Sequence, residues 1–248
     1  MRSVPFKISV QTLNECIMGR WLCLDGLLDI ALELQGVAPR DRVLPLSGWT
    51  GSNIVTPGAY SRSDYEDGKI IAMGSAAEVV DPLLTSRTLV QSVGRLLKAD
   101  SLPCISNAGR VMNKIDVARN EAAAKMNSVR TIAPTRIVWE GHGDPEATRE
   151  ILESLPGIGA KTAQGWGRFE RPAEISESDE RLSGIIDSAE GRLLRPLPDT
   201  FRVAVGNAAF RRAIETVSAP YWKREMAVSA LIPQSDFADG ILRNYDHL

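Results

Sequence analysis

A chain of 248 residues with 44% hydrophobic and 24% charged side chains has the make-up of an ordinary globular protein, able to bury a core without help from metals or disulfides. Three cysteines (Cys16, Cys23, Cys104) with no CxxC pair, beside only two histidines, argue against a zinc site and a disulfide framework and point to a reducing compartment. A net charge of -2 argues against coating nucleic acid by sheer positive charge, and the lack of a leader-like start or of any long apolar run makes a cytoplasmic protein with no membrane contact the expectation.

Val4, Phe6, Ile8 and Val10 alternate with Pro5, Lys7 and Ser9, the two-residue period of a half-buried strand. A helix is expected from Trp21 to Leu34, where almost every position is apolar except Asp25, Asp29 and Glu33. Their four-residue spacing places one narrow acidic stripe on its surface. A helix this apolar needs cover on most sides, from a sheet and from a second element such as the C-terminal extension. From about residue 40 to 127 the periodicity weakens, with Gly, Ser, Pro and Asn scattered through GWTGSNIVTPGAYSRSDYEDG and LPCISNAGR. Two readings of this insertion stand: a functional arm, because long structureless loops are uncommon unless they bind something, or short strands that the pattern does not resolve.

Order returns at Thr135 to Glu140, where Ile137, Val138 and Trp139 predict a strand leading into Gly141-His142-Gly143. A helix follows: Asp144 suits the N-cap, Pro145 the first helical position and Glu146 the positive helix end, and Pro156-Gly157 stops it. After a glycine-rich loop, a further strand is expected over Arg168 to Ile175. The tail, broken by Pro196, Pro198, Pro220 and Pro233, reads as mainly helical pieces. The expected class is α+β. Residues 1–176 would form a ferredoxin-like (RRM-like) domain whose missing strand lies within an insertion at about 40–127, and residues 177–248 an extension packed on the same domain.

The modest net charge hides a segregation. Arg110, Lys114, Arg119, Lys125, Arg130 and Arg136 face only Asp116 and Glu121 between positions 110 and 136, a balance of +4, whereas seven acids face two arginines between 170 and 190, a balance of -5. A basic segment beside an acidic one suits a phosphate backbone on one side and protein on the other, and it equally describes two solvated faces.

Leu155 to Phe169, LPGIGAKTAQGWGRF, supports two incompatible readings. Its first half resembles a helix-hairpin-helix motif, in which Gly-hydrophobe-Gly joins two helices and the second binds a DNA phosphate through its N-terminal amides. That second helix, however, would meet Gly165 and Gly167 within two turns and Pro172 soon after. An interior glycine is about 1 kcal/mol and a proline about 3 kcal/mol less favourable than Ala. The other reading uses Gly157, Gly159, Gly165 and Gly167 together as a loop. Glycines permit positive φ and remove the Cβ atoms that would hold a backbone away, so successive amides can meet phosphates. Ala160 lies in the same loop, Lys161 and Arg168 add charge, and Thr162 and Gln164 offer hydrogen bonds to phosphate or 2′-hydroxyl groups.

A helix ending in such a loop, which leads through Gly-Trp-Gly into a strand, resembles the glycine-rich loop of the CRISPR-associated RAMP superfamily. Leu24-Asp25-Gly26-Leu27-Leu28, Val138-Trp139 with Gly143-Asp144, and Pro220-Tyr221-Trp222 through Pro233 resemble, in turn, the first helix, the strand and second-helix start, and the C-terminal signature of the handle-capping (family-five) subunit of type IV effectors. The middle third of the chain does not align with it. The resemblance implies a non-catalytic role: clamping the 5′ handle of a CRISPR RNA and seating the adjacent backbone subunit, with a large subunit nearby and target DNA reached through the complex. It places an arm beside the RNA, for which Arg110, Lys114, Arg119 and Lys125 are the candidates; Arg40, Arg42 and Arg62 are weaker ones. No cofactor or metal is implied.

Two alternatives remain: a metal-independent endoribonuclease processing CRISPR precursor RNA, and the hairpin DNA binder. Cleavage would need a proton-handling group, and His142 in its Gly-His-Gly setting is the internal histidine available; His247 is next to the C-terminus. No P-loop spacing accompanies Lys161-Thr162. For base stacking, Trp166, Trp49, Tyr60 and Tyr65 are the aromatic candidates, although Trp166, if it lies in a strand, is expected to point into the core.

Overall fold

The computed structural model describes residues 3–18, 21–91, 104–105, 111–112, 125–179, 181–219 and 226–234. Two compact units divide the chain: Met1–Leu83 with Ile132–Leu248, and Leu84–Thr131.

The first unit begins with β1 (Val4–Gln11), which buries Phe6, Ile8 and Val10 as its alternation predicts. Helix α1 (Leu24–Leu34) starts later than expected. Cys23 pairs with Ala76 and the Leu24 amide donates to Ser75 O, so the chain remains extended up to that point and one of the orphan donors of the first turn is satisfied from outside the helix. Strands β2 (Gly48–Trp49), β3 (Ile54–Val55) and β4 (Ile71–Ala72) make a small sheet in the order β3-β2-β4. Between the last two lies α2 (Arg62–Glu66), started by a capping box in which Ser61 and Asp64 satisfy each other's backbone amides. Strand β5 (Glu78–Val79) closes this stretch.

The second unit contains β6 (Leu84–Gln91), β7 (Cys104–Ile105), β8 (Val111–Met112) and most of β9 (Lys125–Ile132). They pair as two ribbons, β6 with β9 and β7 with β8. The Thr85 and Thr131 hydroxyls share a hydrogen bond of 2.6 Å across the first. The separately packed part of the expected insertion is therefore only its second half.

Back in the first unit, β10 (Arg136–Gly143) runs through His142. Asp144 caps α3 (Pro145–Glu153), accepting from the Ala147 amide at 3.2 Å with Pro145 in the first turn, as the sequence predicts. Strand β11 (Glu174–Glu177) is shorter and later than expected. Before it only Phe169 bridges to Thr12, and Pro172, which has no N–H to give a ladder, separates the two pairings. The main sheet has the order β11-β1-β10-β5, with every neighbour antiparallel. Residues of α1 and α3 join Phe6, Ile8, Ile137 and Trp139 in one apolar cluster, and the Trp139 indole N–H is satisfied by Leu22 O at 2.9 Å.

The C-terminal part corrects the expectation of a mainly helical extension. Its described residues form β12 (Ile186–Asp187), β13 (Arg192–Leu193), β14 (Leu197–Pro198), β15 (Phe210–Glu215) and β16 (Val228–Pro233), with a 3-10 turn at Asp199–Phe201. The β14-β16-β15 sheet sets Leu231 into a cluster with Trp49, Phe201 and Ile71, and Ala230 and Ile232 into another with Trp21. Strand pairing thus buries apolar groups on both faces of β16, which overrides a helical propensity too weak to persist between prolines.

A second correction concerns the acidic stripe of α1. Asp25 is 0% and Asp29 2% exposed, so two of its three members lie inside the protein. Each meets arginine. Arg195, itself fully buried, donates to Asp25 at 3.1 Å and to the carbonyls of Ala72, Gly74 and Val217. The Tyr65 hydroxyl donates to the same carboxylate at 2.6 Å and accepts from the Ala219 amide. Burial and the adjacent Asp25 charge hold that phenol well above its ordinary pKa, so it remains a donor. Arg62 forks onto Asp29, while Arg42 reaches both Asp29, at 3.4 Å, and Glu33, at 3.1 Å. Arg42 and Arg62 are thus structural, whereas Arg40 is exposed, with Asp41 3.7 Å away.

Removing one member of a buried ion pair strands the other and costs about 3–5 kcal/mol. Asp25→Ala should therefore lower unfolding stability by that order in urea titration, whereas Glu33→Ala, at an exposed carboxylate, should change it by less than about 0.5 kcal/mol.

Candidate nucleic-acid interface

The loop between α3 and β11 divides into a packed half and an open half. In the packed half, the Ile158 amide donates to Gly167 O, Ala160 to Ile17 O and Gly167 to Glu15 O, at 2.7, 2.7 and 3.0 Å. The space a side chain would take at Gly157, Gly159 and Gly167 is filled by this protein's own backbone. A Cβ on Gly157 would lie 2.6 Å from Trp166 O, one on Gly159 would run into Ile17 O, and one on Gly167 into Ile158 O. These glycines, with Ala160, are required by close packing of the chain on itself. A substitution such as Gly159→Asp tests folding before it tests any ligand.

The open half runs from Lys161 to Trp166. Lys161 has φ +59°, a left-handed conformation that is strained for a residue with a Cβ, and it opens a 3-10 turn over Thr162–Gln164 that ends at Gly165, φ +88°. Among the described residues, the amides of Lys161, Thr162 and Ala163 have no acceptor. Gln164 and Arg168 are exposed, and neither Lys161 nor Arg168 has an acidic partner among the described residues. Most other described cations of this unit are engaged: Lys7 with Glu140, Arg136 with Glu174, Arg192 with Asp187, Arg212 with Asp199.

Asn14, which the sequence did not single out, fixes the frame of this loop. Its side chain donates to Gly165 O at 2.7 Å and accepts from the Arg168 amide at 2.8 Å, and the Leu13 amide donates to Arg168 O. The only sequence cue was an amide residue just past the end of a strand, a position where Asn often serves backbone groups. On the other side, Arg171 stacks over Phe169 at 4.6 Å and donates to the carbonyls of Glu153 and Leu155, closing the end of α3.

The structure brings together Lys161, Thr162, Gln164, Gly165 and Arg168. Arg110, Lys114 and Arg119 lie outside the described residues, and Lys125 is the first residue of β9 in the separate unit. The helix that a hairpin DNA motif needs after Lys161 is replaced by a three-residue 3-10 turn.

The other aromatic candidates are committed elsewhere. Trp49 packs on Phe201 with ring centroids 5.3 Å apart, Tyr65 holds Asp25, and the Tyr60 hydroxyl donates to Leu46 O at 2.9 Å. Trp166, expected in the core, belongs to none of the apolar clusters and is half-buried. The reason is that residues 165–167 form a turn, with Gly165 and Gly167 both left-handed, and not the start of a strand.

His142 is half-buried. Its Nδ1 shares a hydrogen bond with Ser47 Oγ at 2.9 Å, Ser3 Oγ lies 3.4 Å from it, and burial lowers its pKa below the ordinary value. A His with a folded pKa below its unfolded one stabilises the fold above the unfolded pKa, near 6.5, and the contribution is lost as pH falls toward the folded value. Among the described residues no cluster of three His, Cys, Asp or Glu side chains is placed to hold a metal ion, and no helix is long and apolar enough to cross a membrane.

Two outcomes are expected. Asn14→Ala should speed amide exchange across 161–168 while leaving the protection of α1 and β10 unchanged, by hydrogen–deuterium exchange. His142→Gln should flatten the fall of thermal stability between pH 7 and pH 5. No family model matches this chain and no curated protein matches it.

Proposed function

We propose that this protein is an RNA-binding, non-catalytic subunit that grips single-stranded RNA through the loop after α3. The observation that carries the reading is the open half of that loop: three successive amides without acceptors, at Lys161, Thr162 and Ala163, flanked by two cations without acidic partners. Consecutive amides in such a turn form an anion-binding concavity, and Lys161 and Arg168 add positive charge to the same loop. Thr162 and Gln164 supply groups for a further phosphate or a 2′-hydroxyl.

The sheet order supports the finer reading of a ferredoxin-like RAMP domain. In the split βαβ arrangement, β1 and α1 are followed by an edge strand, here β5, and β10 and α3 by the opposite edge strand, here β11, giving β11-β1-β10-β5 with all neighbours antiparallel. Joined to the resemblance in sequence, this favours a subunit that caps the 5′ handle of a CRISPR RNA in a type IV effector. It would seat the next backbone subunit beside it and have a large subunit as neighbour, in the cytoplasm and without a cofactor.

Lys161→Gly separates binding from folding. Glycine relieves the left-handed strain, so thermal stability should hold or rise, while loss of the ammonium weakens RNA binding. In fluorescence polarisation with a labelled single-stranded handle RNA, Lys161→Glu with Arg168→Glu should reduce affinity at least about tenfold. Neutralising both by Ala should shallow the dependence of log K on log salt by about 1.4, at about 0.7 per contact for single strands. Affinity equal to the parent chain in the double charge reversal would end the proposal.

A further inference from the structure

We infer that Trp166 is a stacking platform for a nucleobase of the bound RNA, which makes the loop a reader of an unstacked nucleotide as well as a phosphate clamp. The inference rests on the RNA-binding reading of the same loop and adds a ligand contact to it.

The described tryptophans fall into two groups. Trp21, Trp49 and Trp139 are buried, each in an apolar cluster, and the indole N–H groups of Trp21 and Trp139 donate to Glu215 and Leu22 O. Trp166 is half-buried and in none of those clusters, and its indole N–H has no acceptor among the described residues. An aromatic residue left partly accessible and outside every apolar cluster can still offer surface to a ligand. Its backbone, by contrast, is tied on both sides. Gly165 O accepts from Asn14, Gly167 N donates to Glu15 O, and Gly167 O accepts from the Ile158 amide. Two left-handed glycines therefore hold the indole on a fixed mount. A rigid mount lowers the ordering entropy that stacking would otherwise have to offset.

The surroundings identify the ligand. A protein partner favours an apolar patch around such an anchor; here the nearby loop positions are Lys161, Gln164 and Arg168, with the open amides of the 3-10 turn. That is the pairing used for single strands: a π-face for the base, with cations and amides for the backbone beside it. The described open face of the main sheet carries no Phe, Tyr or Trp side chain, and its His142 ring is held by Ser47. It presents Lys7, Arg136, Glu140 and Glu174, closed into ion pairs at 2.7 Å (Lys7–Glu140) and 2.8 Å (Arg136–Glu174).

The test uses the full chain and a short labelled single-stranded RNA, the same probe as above. Trp166→Ala should weaken binding by about 5- to 150-fold, as loss of one base–aromatic stack does, without changing the salt slope. Trp166→Phe should retain most of the affinity. RNA should quench the intrinsic fluorescence of the parent protein, and that quenching should largely vanish in Trp166→Phe, a readout that holds even if the alanine variant folds poorly. Unchanged affinity in Trp166→Ala, with binding still lost on charge reversal at Lys161 and Arg168, overturns the stacking inference alone and assigns the indole to packing against another chain. If the parent protein shows neither binding nor quenching, the RNA reading falls and this inference with it.

Discussion

The structure depends on a buried charge. Asp25, in the first turn of α1, is fully enclosed and is neutralised by Arg195, more than a hundred and fifty positions later in the chain and also fully enclosed. Neither ion could occupy the interior alone, because taking a charge out of water is affordable only with a partner and with hydrogen bonds for its remaining polar atoms. Both conditions are met. The guanidinium spreads over the carbonyls of Ala72, Gly74 and Val217, and the carboxylate also accepts from Tyr65. Five segments that share no secondary structure are joined at one point, and the C-terminal strands are thereby fixed to the first helix.

Asp29 repeats the device nearer the surface with Arg62 and Arg42. Moving outward along α1, the stripe Asp25, Asp29, Glu33 thus passes from a fully buried pair, through a buried acid with two arginines, to an exposed acid with one. The arginines used in this way are withdrawn from any ligand. Lys161 and Arg168, which have no such acidic partners among the described residues, stand out for that reason. The glycine loop shows the same economy: three glycines are consumed in close packing, Gly159 against Ile17 and Gly157 and Gly167 against the loop's own backbone, and what remains open is a short turn framed by that packing.

Much of the local structure was legible in advance. β1 follows from alternation, and α3 from Asp144, Pro145 and the stop at Pro156-Gly157, because these are interactions between near neighbours in the chain. The capping box at Ser61 and Asp64 carried an equally local signal within a stretch treated as irregular. The candidate site was partly legible: Lys161, Thr162, Gln164 and Arg168 are together because they are adjacent in sequence. Asn14 was not, since its role depends on the end of β1 lying beside a loop some 150 residues later.

By itself, the sequence determined a globular α+β protein, the two helices that cover the main sheet, and a glycine loop that turns where a second helix would fail. Those features depend on side-chain period, caps and helix breakers, all of which act over a few residues. Only the tertiary structure decided that an acidic stripe faces inward, that the C-terminal part pairs as strands, and which half of the glycine loop is left open. In each case the deciding partner, Arg195 for Asp25, β16 for β15, and Ile17, Glu15 and Asn14 for the loop, is distant in the chain, and long-range pairing leaves no periodic trace in a single sequence.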